Sequence, residues 1–108
     1  MIVVTTEDVT GHRIVEMKGQ VFGLVVRSRG LGGNIMATLR SLGGGEIIEY
    51  TQLLEDARRH AVDRMVQNAT AMGANAVISM QYDSSEIGST MSEIVAYGTA
   101  AVIEPVRS

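Results

Sequence analysis

Two segments with the composition of long β-strands are apolar on both faces, and this pattern limits what the chain can fold into. The segments are Ile14–Ser28 and Met91–Pro105, which are rich in valine, isoleucine and alanine. Successive side chains of a strand point to opposite faces of a sheet, so both faces of these strands need a covering layer. A sheet built from them therefore requires packing partners on both sides.

The alternation assigns particular side chains to each face. In the first segment the two sets are Val15, Met17, Gly19, Val21, Gly23 and Val25 on one face and Phe22, Leu24 and Val26 on the other. In the second segment they are Ile94, Ala96, Ala100 and Val102 on one face and Val95, Tyr97, Ala101 and Ile103 on the other. Glycines inside a strand indicate a bend, a bulge or the close approach of another backbone.

One long helix is predicted between these strands, from about Glu46 to Met72, with Gly73 as its C-terminal cap. About 27 residues at 1.5 Å each give a helix of roughly 40 Å. Its apolar stripe consists of Tyr50, Leu54, Ala57, Ala61, Met65 and Ala69. A single helix covers a single face of the sheet, so a second copy of the chain is the economical cover for the other face.

Shorter elements complete the expected fold. We predict a strand at Ile2–Thr5, a turn at Gly11 and a short helix that begins at Asn34. The sequence ANAVISMQY predicts a further strand with Ala76, Ile78, Met80 and Tyr82 on one face, and DSSEIGST predicts a polar hairpin loop. The expected fold is a single α+β domain over residues 1–108, with a two-layer architecture, an antiparallel sheet, one long helix and one short helix.

The composition argues against several functional classes. The chain has no cysteine, which excludes disulfides, thiolate nucleophiles and thiolate metal sites. A net charge of -3 with one phenylalanine and no tryptophan argues against nucleic-acid binding. No apolar run approaches the ~20 residues that span a bilayer, and the start MIVV lacks the basic region of a signal peptide. We therefore expect a cytoplasmic protein without a membrane partner.

The glycine-rich sequence RGLGGN is the best candidate for a binding site. It follows a predicted strand, precedes a predicted helix and has arginines beside it, which suits an anion held by backbone amides. Neither nucleotide-binding pattern is complete, because Ile35 stands where the dinucleotide motif needs glycine and no Gly-Lys-Ser/Thr follows. The candidate anion-binding residues are Arg27, Arg29, Gly32, Gly33 and Asn34, and the alternative is an ordinary loop.

The charged face of the long helix offers two further possibilities. Asp56 and His60 are four residues apart and can supply two metal ligands, but a third has to come from elsewhere, so we assign no metal site. The alternative is an ordinary exposed histidine. Arg58 and Arg64 flank the apolar stripe, where each can reach a carboxylate across a subunit boundary. No nucleophile, base and orienting group can be assembled, so we expect no enzymatic activity.

Several motifs resemble the YbjQ-type family of small bacterial and archaeal proteins. They are GGGEIIEYTQLLEDARRHAVDRM, MGANAVISMQYD, EIVAYGTAAVIE and GQVFGLVVRSRG, so the resemblance covers nearly the whole chain. It implies a dodecin-like β-α-β-β subunit assembled as a ring-shaped pentamer. Members are commonly labelled heavy-metal-binding, and the family has no established enzymatic reaction. Dodecins bind flavin, but this chain has no tryptophan to stack on the flavin ring, so we expect no cofactor.

Together these observations favour a small cytoplasmic homo-oligomer, expected to be a pentamer, with a structural or binding role. The alternative function is the binding of a small anion or of a divalent or heavy metal at the subunit junctions.

Overall fold

The computed structural model describes residues 1–28, 48–87 and 91–106, and these ranges contain four strands and one helix. The elements are β1 Ile2–Val3, β2 His12–Ser28, α1 Ile48–Ala71, β3 Ala76–Ile87 and β4 Met91–Pro105. The strands lie in the order β1-β3-β4-β2, and the helix packs on one face of the sheet. The short helix predicted to begin at Asn34 lies outside the described residues.

The sheet is mixed, so the prediction of a fully antiparallel sheet was wrong. The β2–β4 and β3–β4 pairs are antiparallel, whereas β1 runs parallel to β3. The N-terminal segment continues this pairing past β1, because the Val4 amide donates to the Val77 carbonyl and the Met80 amide to the Val4 carbonyl. A parallel pair needs a long connection rather than a tight turn, and β2 and α1 supply one between β1 and β3.

The long elements lie where the sequence predicts them. β4 has the predicted range, β2 begins two residues earlier than predicted, and the helix spans Ile48–Ala71 within the described residues. Gly73 ends the helix with a positive φ of 85°, which an L-residue adopts at a cost. The Ala74 amide donates to the Ala69 carbonyl at 3.1 Å and the Gly73 amide to the Thr70 carbonyl at 3.0 Å, so the helix ends in a Schellman motif.

The hydrophobic core lies between the helix and one face of the sheet. On the helix, Ala57, Ala61, Met65 and Ala69 are buried as the predicted stripe requires. On the sheet, the buried residues of the same cluster are Val21, Val25, Val77, Ile94, Ala96 and Ala100. The prediction was wrong at Leu54, which is 41% exposed, and the side chain of Tyr50 lies outside the described part of the chain.

Gly23 lets the helix approach β2 closely. A Cβ atom placed on Gly23 would overlap the Ala61 carbonyl oxygen and the Met65 amide nitrogen and would lie 3.0 Å from the Arg64 carbonyl carbon. These are backbone atoms of the helix, which cannot move aside as a flexible side chain can. The sequence-based expectation that a strand glycine marks a backbone contact is confirmed at this position.

Register shifts break the predicted alternation in two strands. In β2, shifts between Ile14 and Glu16 and between Met17 and Gly19 leave Val15 and Met17 exposed, although the sequence placed them on the same face as Val21 and Val25. Each extra residue of a bulge moves the following side chains to the opposite face. The shared face predicted for the first half of β2 was therefore wrong.

In β3, a shift between Ile78 and Gln81 surrounds Ser79, which has a φ of 54°. Met80 consequently packs against the same cluster as Val77, and Tyr82 faces Arg58 of the helix. Ala76 and Ile78 point to the other face, so the prediction that all four side chains share one face was wrong.

The predicted hairpin loop DSSEIGST is strand over its first five residues. Asp83 to Ile87 pair with Val95 to Met91 of β4, and the remaining residues 88–90 lie outside the described ranges. The side chains of residues 81–86 are exposed to solvent, which suits their polar character, while the backbone of this segment stays paired with β4. Sequence polarity marks solvent exposure here rather than a turn.

Among the described residues, the second face of the sheet is buried only near β1. There Ala76, Ile78, Ala101 and Ile103 are buried. At the opposite end, Phe22, Leu24 and Val26 are 54%, 37% and 48% exposed, with Val95 and Tyr97 half-buried beside them. We call these five residues the open patch. The sequence-based expectation of an apolar second face is confirmed for this part of the sheet.

Replacing Asn75 by alanine should destabilise the fold by about 2 kcal/mol, because two backbone groups lose their partners. The Asn75 Nδ2 donates to the Ile103 carbonyl at 2.9 Å and the Ile103 amide donates to Asn75 Oδ1 at 2.8 Å. Urea unfolding at a fixed protein concentration measures the effect. Asn68→Ala is the control, since Asn68 makes one exposed hydrogen bond to the Phe22 carbonyl. An equal loss in the free energy of unfolding for the two variants would contradict this account.

Candidate functional site

Two residues singled out separately in the sequence meet where β2 ends against the helix. Arg27 is the last but one residue of β2, and its Nη2 lies 2.6 Å from Nδ1 of His60. The helix runs antiparallel to β2, since Asn68 contacts Phe22, Arg64 contacts Leu24 and His60 contacts Arg27. This packing brings together two side chains that are 33 residues apart.

The contact fixes the hydrogen-bonding roles of the pair. A guanidinium can only donate, so His60 Nδ1 is the acceptor and the neutral imidazole carries its proton on Nε2. Arg27 and His60 therefore offer N–H donors to their surroundings and no free acceptor. The Nε of Arg27 is buried and has no hydrogen-bond partner. Buried donors are nearly always paired in folded proteins, so this group requires an explanation.

Arg58 and Arg64, the two arginines that flank the apolar stripe of the helix, have partners within their own chain. Arg64 Nη1 donates to the Leu24 carbonyl at 2.6 Å, and the Arg58 guanidinium lies 5.0 Å from the centre of the Tyr82 ring. The contact between Arg58 and the Tyr82 ring is a cation–π interaction. The sequence suggested that both arginines reach a neighbouring subunit, whereas the structure shows them holding α1 against β2 and β3.

Carboxylates near the helix pair with residues other than Arg27 and His60. Arg59 lies 3.6 Å from both Glu55 and Asp56, on the exposed face of the helix. Asp56 thus contacts Arg59, and the Asp56–His60 pair considered as metal ligands is not formed. Elsewhere in the described ranges, Arg13 pairs with Glu104 and Lys18 with Glu16, both away from Arg27.

The described residues do not fit a heavy-metal site. Within residues 1–28, 48–87 and 91–106, no three histidine, aspartate or glutamate side chains lie close enough to hold a metal ion. His60 already uses Nδ1 to accept from Arg27, and Nδ1 of His12 lies 3.1 Å from the Thr10 carbonyl. The chain also lacks the thiolates that soft metals favour.

Four of the five predicted anion-binding residues lie outside the described residues. They are Arg29, Gly32, Gly33 and Asn34. The structure places the fifth, Arg27, against His60, which the sequence had suggested only as a metal ligand or an exposed histidine. Sequence spacing predicts neighbours within one helix or strand, and no sequence signal connected these two residues.

A second candidate surface is formed by the N-terminal end of the helix. His60 lies beside the end of β2, so the helix residues before Ala57 continue past the strand for about 13 Å. Leu53 and Leu54 on this segment are 38% and 41% exposed. We call residues 48–56 the overhang. The open patch and the overhang are thus exposed apolar surfaces on different elements. Within the described residues, no helix has the length and apolar character needed to cross a membrane.

Comparison with known proteins gives matches over nearly the full chain. A family model described as "Putative heavy-metal-binding" matches residues 1–104. A UPF0145 protein of Bradyrhizobium sp. (strain ORS 278) is 74% identical over 107 residues, covering 99% of this chain and 96% of that protein. A UPF0145 protein of Picrophilus torridus is 57% identical over 108 residues, covering 100% of this chain and 92% of that protein.

Among solved structures, a protein of unknown function from Pediococcus pentosaceus, assigned to the DUF74 family, matches with a TM-score of 0.63. The match covers 96% of this chain and 98% of that chain at 16% sequence identity. At this identity the likeness shows a shared fold and nothing about activity.

Proposed function

The chain belongs to the YbjQ-type family of uncharacterised UPF0145 proteins, and from its geometry we propose that it is a self-assembling protein. The proposed assembly is a ring-shaped homopentamer of dodecin-like subunits, in which each subunit covers the open patch of the next. The proposed role is structural, with a capacity for ligand binding at or near the junctions.

The open patch is the observation that carries this proposal. Its five side chains are uncharged and form cross-strand pairs, since Phe22 lies opposite Tyr97 and Leu24 opposite Val95. Contiguous apolar surface of this kind on a folded protein marks a contact site. Removing it from water contributes about 25 cal/mol for each Å² of apolar area, which favours association.

A second copy of the chain is the occupant that best fits the patch. A second copy always accompanies the first, and it brings a complementary apolar surface in Leu53 and Leu54 of the overhang. Patch and overhang are different surfaces, so their contact joins subunits head to tail, and such contacts form a ring when the rotation closes.

The family label contributes no metal to this proposal. The described residues lack a set of metal donors, as shown above, and the chain has no cysteine. Assembly, by contrast, needs only the surfaces that the structure exposes.

Mass measurement in native solution tests the proposal. Five chains of 11.6 kDa should give a species of about 58 kDa at micromolar concentration. A ring of another size would correct the subunit number and leave the assembly in place. A clean 11.6 kDa species would contradict the proposal.

Mixing two defective variants should restore one junction and distinguish a head-to-tail contact from a patch-to-patch contact. Val26→Lys damages the patch and keeps the overhang, whereas Leu53→Lys does the reverse. Each variant alone should be monomeric, and the mixture should contain a heterodimer of about 23 kDa, because one intact patch meets one intact overhang. If subunits join patch to patch, the mixture contains no heterodimer.

A further inference from the structure

We propose that Arg27 and His60 form a binding site for a small oxyanion, a phosphate or a carboxylate. The site goes beyond self-assembly, because both residues belong to one chain and their contact needs no second copy. Three features of the pair carry the inference: the unpaired Nε, the absence of a carboxylate partner among the described residues, and the donor-only character of the two side chains.

The unpaired atom lies on the part of the guanidinium that binds oxyanions. Nε and Nη2 of an arginine share one edge, and this edge donates two parallel hydrogen bonds to a carboxylate or phosphate. In Arg27, Nη2 donates to His60 Nδ1 while Nε is buried without a partner. An oxyanion that takes the place of the imidazole acceptor pairs both atoms at once.

Arg27 differs from the other arginines that the structure describes. Arg13 and Arg59 pair with carboxylates, Arg64 donates to a backbone carbonyl, and Arg58 lies on an aromatic ring. Only Arg27 has a neutral imidazole as its partner. A half-buried guanidinium with one unpaired donor on its binding edge and a neutral partner on the other is suited to an anionic ligand.

His60 gives the site a second nitrogen donor. When an anion replaces Nδ1 as the acceptor for Arg27, the freed imidazole can turn an N–H towards the anion, in either its neutral or its charged form. Arg27 is half-buried and His60 is exposed, so an anion can reach the pair from solvent on the histidine side. The predicted loop residues Arg29, Gly32, Gly33 and Asn34 follow Arg27 in sequence and lie outside the described residues, so the proposal does not depend on them.

Calorimetric titration of the full chain with inorganic phosphate, sulfate and acetate tests this site and separates its ligand classes. Arg27→Gln should lower phosphate affinity about tenfold or more, because a charged hydrogen-bond donor is lost. Arg27→Lys should lower it nearly as much, since lysine keeps the charge but lacks the two-donor edge. His60→Gln should weaken binding by a smaller factor.

Arg13→Gln is the matched control, because Arg13 lies on the same strand and pairs with Glu104. It should leave the affinity unchanged within about twofold. Three results would each overturn the site: no binding by the wild type at millimolar anion, an equal loss in Arg13→Gln, or full binding by Arg27→Lys. Circular dichroism of each variant shows whether it is folded. The native mass of the same samples reports assembly separately, so loss of the ring and loss of anion binding are distinguished.

Discussion

Replacing Val26 by lysine is expected to convert the assembly into 11.6 kDa chains. Val26 lies in the open patch and is 48% exposed in the single chain, so the lysine is tolerated there while the subunit is alone. Glu93 lies opposite Val26 on β4, which favours a positive charge at this position in the free subunit. In a junction the lysine has to leave water, and burial of a charge costs several kcal/mol. We therefore expect each junction to weaken by a factor of about a hundred or more.

The control for this prediction comes from the same strand. Val15 is 46% exposed and is also a valine of β2, but it lies outside the open patch. Val15→Lys should keep the mass of the wild type in analytical ultracentrifugation, whereas Val26→Lys sediments as a monomer at the same concentration. A Val26→Lys variant that retains the wild-type mass would show that the patch is not the junction.

Replacing Gly23 by alanine is expected to destabilise the fold strongly. The new methyl group would overlap backbone atoms of Ala61 and Met65, so helix and strand have to separate. Separation disturbs the whole layer of Val21, Val25 and Met65 between them, which is fully packed. Overpacking of a core costs about 1–3 kcal/mol when side chains can adjust, and more when only backbone can move. We expect a loss of at least about 3 kcal/mol in the free energy of unfolding.

Gly73→Ala provides the comparison, because it changes the same residue type without overlap. The nearest atoms to a Cβ on Gly73 are in the flexible Lys18 side chain, at 3.6 and 3.7 Å, and the penalty comes from the positive φ of 85°. That penalty is about 1–2 kcal/mol. Urea unfolding of both variants at one protein concentration separates the two effects, since stability of an oligomer depends on concentration. If Gly23→Ala lowers the free energy of unfolding no more than Gly73→Ala does, the close helix–strand contact is not required for stability.

The long elements were predictable because their signals are local. A 3.6-residue period and a following glycine located α1, and runs rich in apolar and β-branched residues located β2 and β4. The register shift at Gly19 in β2 agrees with the expectation for a strand glycine, since Gly19 has a positive φ of 113°. The bulge in β3 was not predictable, because the residue with positive φ there is Ser79 rather than a glycine, and it lies between pairings with β4 and the N-terminal segment. Likewise, the parallel β1–β3 pair depends on residues over 70 positions apart.

The candidate site was predictable only as separate parts. Arginines before a glycine-rich sequence pointed to Arg27, and a four-residue spacing pointed to Asp56 and His60. In the structure Asp56 contacts Arg59 rather than His60, and His60 contacts Arg27. The reason is that antiparallel packing of α1 on β2 places His60 at the end of the strand. Contacts of this range depend on how the layers are aligned, which the helical period alone does not determine.

The two helix side chains that donate hydrogen bonds to backbone carbonyls of β2, Arg64 and Asn68, also have a consequence for solubility. Among the described strands β2 lies at the edge of the sheet, and an edge strand offers free backbone groups on which further strands can grow into fibrils. Arg64 and Asn68 occupy the carbonyl oxygens of Leu24 and Phe22 on this strand. These two bonds obstruct growth by strand addition along the most apolar part of β2, which favours contacts between copies through side chains.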